Sequence, residues 1–180
     1  MQQAGVRTAP KPCGECSLCC KILKIAEFEK APGVWCSHVL KGKGCAIHGH
    51  VERPAICHDY HCTWTMADPL DDRWRPDRAG FLLNPGPVDS EIWIVVDSTR
   101  PDAWRREPYH SQIKRWSEPS NPTISRVLVL LRGRAIVVFP ETDIDLGPPP
   151  SDPMPPIDSG YEMRDGRMQP YARYASARPA

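Results

Sequence analysis

The distribution of apolar positions divides the chain into two parts of different character. Residues 13–66 show little periodicity and are repeatedly interrupted by proline and glycine. Residues 79–146 instead contain short apolar runs typical of strands, namely AGFLL, EIWIVVD and the two halves of VLVLLRGRAIVVFP. The last run predicts a hairpin that turns at Arg132-Gly133 and ends at Pro140. The second part is therefore predicted to be a small antiparallel sheet.

One helix is predicted beside these strands, within EPYHSQIKRWSE. Tyr109, Ile113 and Trp116 are spaced so that they share one face of a helix, and Pro108 suits its first turn. The segment NPGPVDS separates the first two strands. Its second and third residues, proline and glycine, are typical of the centre of a type II turn.

The same patterns predict four segments along the chain. Residues 1–12 have no periodic apolar pattern and predict a flexible leader. Residues 13–66 hold every cysteine, and residues 67–146 hold a polar loop followed by the sheet and the helix. From Gly147 onward, GPPPSDPMPPIDSG contains too much proline to pack, so residues 147–180 are predicted to be a proline-rich tail, in which YEMRDGRM could form a short strand.

Composition and charge limit the kinds of partner that the chain can have. The formal net charge of +1 gives no global attraction to nucleic acid or to anionic membranes. No apolar run approaches the length of a membrane span, and MQQAGVRTAPKP lacks the apolar stretch of a secretory signal. We therefore expect a cytoplasmic protein with no membrane or nucleic-acid partner. Structural disulfides are rare in that reducing compartment.

Cysteine is the strongest chemical signal of the sequence. All eight cysteines lie between residues 13 and 62, and CGECSLCC places four of them in eight consecutive positions. A segment with so little continuous apolar surface needs something other than a core to hold it, and a bound metal would do so. Clustered thiols without an export signal indicate metal ligands or redox chemistry. The candidate metal ligands are Cys13, Cys16, Cys19, Cys20, Cys36, Cys45, Cys57 and Cys62.

The spacing within CGECSLCC bears on the number of metal centres. Cys13, Cys16 and Cys19 are separated by two residues each, which lets a loop turn its sulfurs toward one centre. Cys20 directly follows Cys19, and the side chains of neighbouring residues tend to diverge. The pair therefore predicts two metal centres, or one centre and a separate thiol. It also predicts that Cys19→Ser and Cys20→Ser have different effects on metal content.

These residues resemble the CxxCxxCC family of zinc- or iron-chelating proteins. CGECSLCC matches the signature of that family. In RPAICHDYHC, Arg53, Pro54 and Cys57 also match, as does the spacing of four residues between Cys57 and Cys62. The spacer before Arg53 is longer than is common there, and His58 and Tyr60 stand where arginine and phenylalanine are frequent. WRPDR, PDAWRREPYH and DIDLG resemble a bacterial subgroup of the family. The resemblance is specific to residues 13–66 and implies metal or cluster binding, without a settled reaction.

Soft thiolates accept both zinc and iron, and the spacing here favours iron. Three cysteines with two-residue spacers resemble the start of a ferredoxin cluster motif, although its C-x3-C-P continuation is absent. Zinc sites more often combine separated CxxC pairs. Histidine is a further zinc ligand, and His58 and His61 are the best placed because Cys57 and Cys62 bracket them.

The sequence thus predicts an α+β fold in which an irregular, metal-bound, cysteine-rich module packs on a small antiparallel β-sheet with one helix. The predicted function is to bind zinc, iron or an iron–sulfur cluster through the eight cysteines, with the metal organising the module. Two alternatives stay open: a cluster-dependent oxidoreductase or electron-transfer protein, and a zinc-dependent module that binds another protein. The sequence contains no phosphate-binding loop, dinucleotide-binding glycine motif or hydrolase motif that would indicate a different enzyme class.

Overall fold

Short helices and turns dominate the cysteine-containing part of the chain, and longer strands dominate the rest, in a computed structural model that describes residues 9–40 and 42–175. These residues form a mixed α+β fold and divide into two units. The first unit runs to Asn84 and also includes Val95–Trp104. The second unit contains Pro85–Ile94 and continues from Arg105.

The helices of the first unit are only four or five residues long within the described part of the chain. They are α1 (Cys19–Ile22), α2 (Ala55–Asp59), α3 (Thr63–Met66) and α4 (Pro76–Ala79), with 3-10 turns at Ala26–Phe28 and Asp72–Trp74. A further 3-10 turn covers Ala103–Arg105. In α4 the cause of this shortness is local: the helix begins at Pro76 and is capped by Gly80, whose φ is 88°. Proline and glycine therefore limit α4 to about one turn.

A small hairpin and a set of buried aromatic residues complete the first unit. Strands β1 (Val39–Leu40) and β2 (Gly44–Cys45) pair antiparallel, with Val39 opposite Cys45. Trp74 and Phe81 are both buried, and their rings meet edge to face at 6.1 Å between centroids. This apolar contact gives the first unit a core of its own.

The predicted flexible leader is wrong at its C-terminal end, and residues 1–8 of that prediction lie outside the described residues. The backbone N–H of Lys11 donates to the carbonyl of Thr65 at 2.8 Å, and its Nζ donates to the carbonyl of Ala67 at 2.9 Å. The same Nζ lies 5.3 Å from the ring centroid of Trp64. These contacts connect residues that are more than fifty positions apart, which no local pattern reveals.

The strands predicted from the apolar runs are confirmed. They are β3 (Phe81–Pro85), β4 (Glu91–Val96), β5 (Arg126–Leu131) and β6 (Arg134–Val138), and β7 (Asp143–Gly147) extends the sheet in the order β3-β4-β5-β6-β7. Strands β5 and β6 pair antiparallel, as do β6 and β7. Arg132 (φ 51°) and Gly133 (φ 71°) form the predicted turn, in the left-handed conformation that favours two-residue hairpins.

The predicted type II turn in NPGPVDS is wrong. Gly86 lacks the positive φ that the third position of such a turn requires, and Ser90 (φ 72°) takes the left-handed conformation instead. Gly86 is needed for a different reason, because a Cβ atom there would lie 2.4 Å from the Cβ of Glu91. The close approach is fixed by a hydrogen bond from the backbone N–H of Gly86 to the Glu91 carbonyl, at 3.0 Å.

Helix α5 (Tyr109–Trp116) is confirmed, and it is longer than α1 to α4. Of the predicted face, Tyr109 and Ile113 are buried and Trp116 is half-buried. Next to Ile113, Lys114 Nζ donates to the Phe139 carbonyl at 2.6 Å and to Asp143 Oδ1 at 2.8 Å. No helix in the described ranges has both the length and the apolar character that crossing a membrane requires.

The predicted proline-rich tail is wrong for much of its length. Strands β8 (Ile157–Arg164) and β9 (Arg167–Tyr174) form an antiparallel hairpin, with Asp165 (φ 49°) and Gly166 (φ 71°) at its turn. Phe139 and Tyr161 meet edge to face, with 5.5 Å between ring centroids. The hairpin packs on buried residues of the second unit, which are Leu128, Ala135, Val137 and Phe139. The prolines lie mainly before β8 and hid this element from a compositional prediction.

Candidate metal centre

One cavity in the first unit is lined by most of the cysteines. Its volume is about 730 Å³. The apolar side chains of Ile25, Phe28 and Ile47 form part of its wall. The cysteines in its lining come from several separate segments of the chain and are Cys13, Cys16, Cys19, Cys20, Cys36, Cys45 and Cys57. The fold therefore brings seven of the eight predicted ligands to one place.

Cys62, the eighth predicted ligand, lies outside this lining. It is buried and directly precedes α3. Burial raises the pKa of its thiol, whereas hydrogen bonds from the backbone N–H groups of Thr65 and Trp64 act to lower it. Such N–H donors stabilise a thiolate, the form of cysteine that binds metal.

All eight thiols are reduced. Every cysteine lies within the described residues, and none of them forms a disulfide there. Burial raises the pKa of Cys16 to about 11 and also raises the pKa values of Cys13, Cys45 and Cys57. These groups are protonated at neutral pH, so a metal that binds them must displace protons.

Cys19 and Cys20 interact directly at the start of α1. Their Sγ atoms lie 3.9 Å apart. The hydrogen bond from Cys19 lowers the pKa of Cys20 to about 7, and it raises the pKa of Cys19 itself. The positive charges of Arg53 and Lys30 further favour the thiolate of Cys20. Cys20 is therefore the cysteine most ready to bind metal or to react.

Cys16 is held by the WRPDR segment, which the sequence analysis assigned to a polar loop. Its sulfur accepts hydrogen bonds from the backbone N–H groups of Leu18 and Asp77, and its thiol donates to the Asp77 carboxylate. Arg75 fixes that carboxylate through two hydrogen bonds, Nε to Oδ1 at 2.7 Å and Nη2 to Oδ2 at 2.8 Å. The WRPDR motif was the sequence signal that could have identified Arg75 and Asp77.

Two cations lie beside the thiols, and the sequence analysis assigned no role to either of them. Lys30 is buried, and its Nζ donates to the carbonyls of Lys21 (3.1 Å), Ala31 (3.0 Å) and Leu23. Burial lowers the pKa of Lys30, and negative charge on the neighbouring cysteines acts in the opposite direction. No local pattern marks Lys30, because its contacts depend on how the chain folds around it.

Arg53 is the second of these cations. Its side chain lines the cavity, and its Nε is buried without a hydrogen-bond partner among the described residues. Its charge opposes the effect of burial on the thiols of Cys13, Cys45 and Cys57. A buried guanidinium nitrogen without a partner normally indicates a counter-charge that binds there.

The histidines near the later cysteines and Tyr60 have different environments. His48, His58 and His61 line the cavity, and all three are exposed residues. Tyr60 also lines it, and its hydroxyl donates to Asn84 Oδ1 at 2.7 Å. The tyrosine hydroxyl therefore has a structural partner that a phenylalanine at this position would lack.

The thiols share a cavity but are not yet arranged around a single point. Within residues 9–40 and 42–175, no three side chains of histidine, cysteine, aspartate or glutamate are positioned to hold one metal ion. The donor set nevertheless fits a soft metal or cluster, since seven free thiols and the guanidinium of Arg53 face one space. Side chains would have to turn toward a common centre for a metal to bind.

Comparisons with known proteins add no assignment to this site. No protein-family model, no curated protein and no solved structure matches the chain. The resemblance to the CxxCxxCC family therefore stays a prediction from the residues quoted above.

Proposed function

We propose that the cysteines of the first unit bind zinc or an iron–sulfur centre, and that the metal organises this part of the fold. The observation that carries the proposal is the shared cavity, lined by cysteines that come from positions 13 to 57 of the chain. Thiols that are merely buried would be distributed over a core. Thiols that serve as ligands have to converge.

The surroundings of the thiols support this proposal. Four thiolates leave a net charge of about −2 around a divalent ion, and buried negative charge needs compensation. Arg53 supplies positive charge at the cavity, and the charge of Lys30 acts on several of the same cysteines. Backbone N–H groups reach Cys16, Cys45 and Cys62. Metal binding would release the thiol protons and bring the sulfurs together, which couples binding to the folding of the module.

The identity of the metal separates the two alternatives for a wider role. Zinc has no redox chemistry, so a zinc protein would be a structural or protein-binding module in the cell. An iron–sulfur cluster would allow electron transfer or cluster-dependent oxidoreduction. The two-residue spacing of Cys13, Cys16 and Cys19 favours the cluster, and we propose a reducing, cytoplasmic setting for either form.

The proposal is tested by anaerobic purification followed by elemental analysis and a visible spectrum. Iron with acid-labile sulfide and broad visible absorption would support the cluster, and a colourless protein that contains zinc would support the structural role. A chain that contains neither metal, and that binds neither after reconstitution with Zn²⁺ or with Fe²⁺ and sulfide, would overturn the proposal.

A further inference from the structure

The contacts of the chain separate the eight cysteines into two sets of four. In the first set, Cys16 donates its backbone N–H to the Cys13 carbonyl at 3.0 Å. The hydrogen bonds of Lys11 to Thr65 and Ala67 bring the segment that ends at Cys13 beside the helix that follows Cys62. Cys13, Cys16 and Cys62 are therefore neighbours in space although Cys62 is distant in sequence.

Cys19 belongs with these cysteines by its position in the sequence. It follows Cys16 at the same two-residue spacing that separates Cys13 from Cys16, and this spacing lets one loop turn its sulfurs toward one centre. The first set is thus Cys13, Cys16, Cys19 and Cys62.

The second set forms around the other member of the adjacent pair. Cys36 donates its backbone N–H to the Cys20 carbonyl at 3.0 Å, and Val39 N donates to the Cys36 carbonyl at 3.2 Å. Val39 is in turn the strand partner of Cys45 in the β1–β2 hairpin. Cys57 lines the cavity that Cys20, Cys36 and Cys45 also line, whereas Cys62 lies outside that lining.

We propose that the module holds two four-thiolate metal centres, one formed by Cys13, Cys16, Cys19 and Cys62 and the other by Cys20, Cys36, Cys45 and Cys57. The adjacent Cys19 and Cys20 give one ligand to each centre, so the two centres meet at the start of α1. This inference rests on the proposed function and specifies how its ligands are divided.

The two sets differ in how many of their cysteines interact with Arg53. Backbone N–H groups serve both sets, at Cys16 and Cys62 of the first and at Cys45 of the second. Around the second set, Arg53 acts on Cys20, Cys45 and Cys57, as well as on Cys13 of the first set. We expect Arg53→Met to weaken metal binding at the second centre about tenfold or more, and Arg53→Lys to have a smaller effect.

The proposal is tested with Zn²⁺ on the full chain under anaerobic conditions, with bound ions counted by native mass spectrometry. We expect two ions for the unaltered chain and one for either Cys16→Ser or Cys45→Ser. The double variant Cys16→Ser/Cys19→Ser removes two ligands from one set and should keep one ion. The double variant Cys16→Ser/Cys45→Ser removes one ligand from each set and should keep none.

Loss of both ions from Cys16→Ser/Cys19→Ser, or retention of one by Cys16→Ser/Cys45→Ser, would overturn the division into these two sets. An unaltered chain that binds no Zn²⁺ would contradict the proposed function itself, so the two failures differ. A second measurement, protection of the cysteines from alkylation, can be made on a variant that keeps only one intact centre. Cys16→Ser loaded with Zn²⁺ and then alkylated should protect Cys20, Cys36, Cys45 and Cys57, and protection of Cys13 and Cys19 instead would also overturn the proposal.

Discussion

Lys21 and Asp97 form a buried ion pair, with Lys21 Nζ 2.7 Å from Asp97 Oδ1 and 2.8 Å from Oδ2. The side chain of Lys21 is 10% exposed and that of Asp97 is 5% exposed. Thr99 accepts a further hydrogen bond from the same Nζ at 2.9 Å. Because Lys21 directly follows Cys20 in α1, the pair fixes the position of the adjacent cysteines relative to the loop after β4.

We expect Asp97→Asn to lower the free energy of unfolding by about 3 kcal/mol, since removing one partner leaves the charge of Lys21 buried without compensation. Urea unfolding followed by tryptophan fluorescence measures the effect. Arg73→Gln is the matched control, because its ion pair with Asp71 is exposed and should contribute less than about 1 kcal/mol. Equal losses for the two variants would show that the buried pair does not stabilise the first unit.

The same pair predicts a dependence of stability on pH. Burial acts to raise the pKa of Asp97, but hydrogen bonds from Lys21 and Thr99 outweigh it and hold the pKa below its ordinary value. Its contribution to stability is therefore complete above the unfolded-state pKa of about 3.9 and is lost as pH falls through the folded-state pKa. Between about pH 5 and pH 3, unaltered protein should lose more stability than Asp97→Asn. Parallel pH profiles for the two proteins would contradict this assignment.

The β8–β9 hairpin should be required for the stability of the second unit. Deleting residues 157–175 removes its contacts with the buried cluster around Phe139, so the free energy of unfolding should fall by more than about 1 kcal/mol. Met163→Ala is the control, since this side chain is 65% exposed and its loss should change stability by less than about 0.5 kcal/mol. If the deletion has no larger effect than the control, the hairpin does not contribute to the core.

The thiols of the metal-free chain should differ in reactivity. At about pH 8, Cys20 with a pKa near 7 is mostly thiolate, whereas Cys16 with a pKa near 11 is mostly protonated. We expect a short exposure to iodoacetamide to modify Cys20 before Cys16, as read by peptide mapping. Unfolding in urea is the control, because it should remove the difference. Equal rates in the folded protein would mean that the contact between Cys19 and Cys20 does not activate Cys20.

Local sequence patterns predicted the helices and strands that depend mainly on residues close together in the sequence. The hairpin at Arg132-Gly133 follows from two apolar runs around a turn, and α5 follows from the shared face of Tyr109 and Ile113. Of the β8–β9 hairpin, only a short strand in YEMRDGRM was anticipated, because nearby prolines dominated the composition. Its turn at Asp165-Gly166 was nevertheless a recognisable signal.

The candidate site was predictable in its chemistry but not in its arrangement. The density of cysteine between residues 13 and 62 is visible in the sequence, and so is the adjacency of Cys19 and Cys20. The neighbours of each cysteine depend instead on hydrogen bonds between distant segments, such as Cys36 to Cys20. The roles of Lys30 and Arg53 have the same origin, since their charges matter only where the fold places them.

The most direct test of metal binding combines the native mass of the anaerobically isolated chain with the reactivity of its thiols. The account predicts a mass that includes bound metal or cluster, and eight cysteines that resist alkylation until a chelator removes it. The variant Ser37→Cys adds an exposed thiol outside the ligand set and should be alkylated at once, which confirms that the reagent is active. A metal-free mass together with immediate alkylation of all eight cysteines would contradict the account.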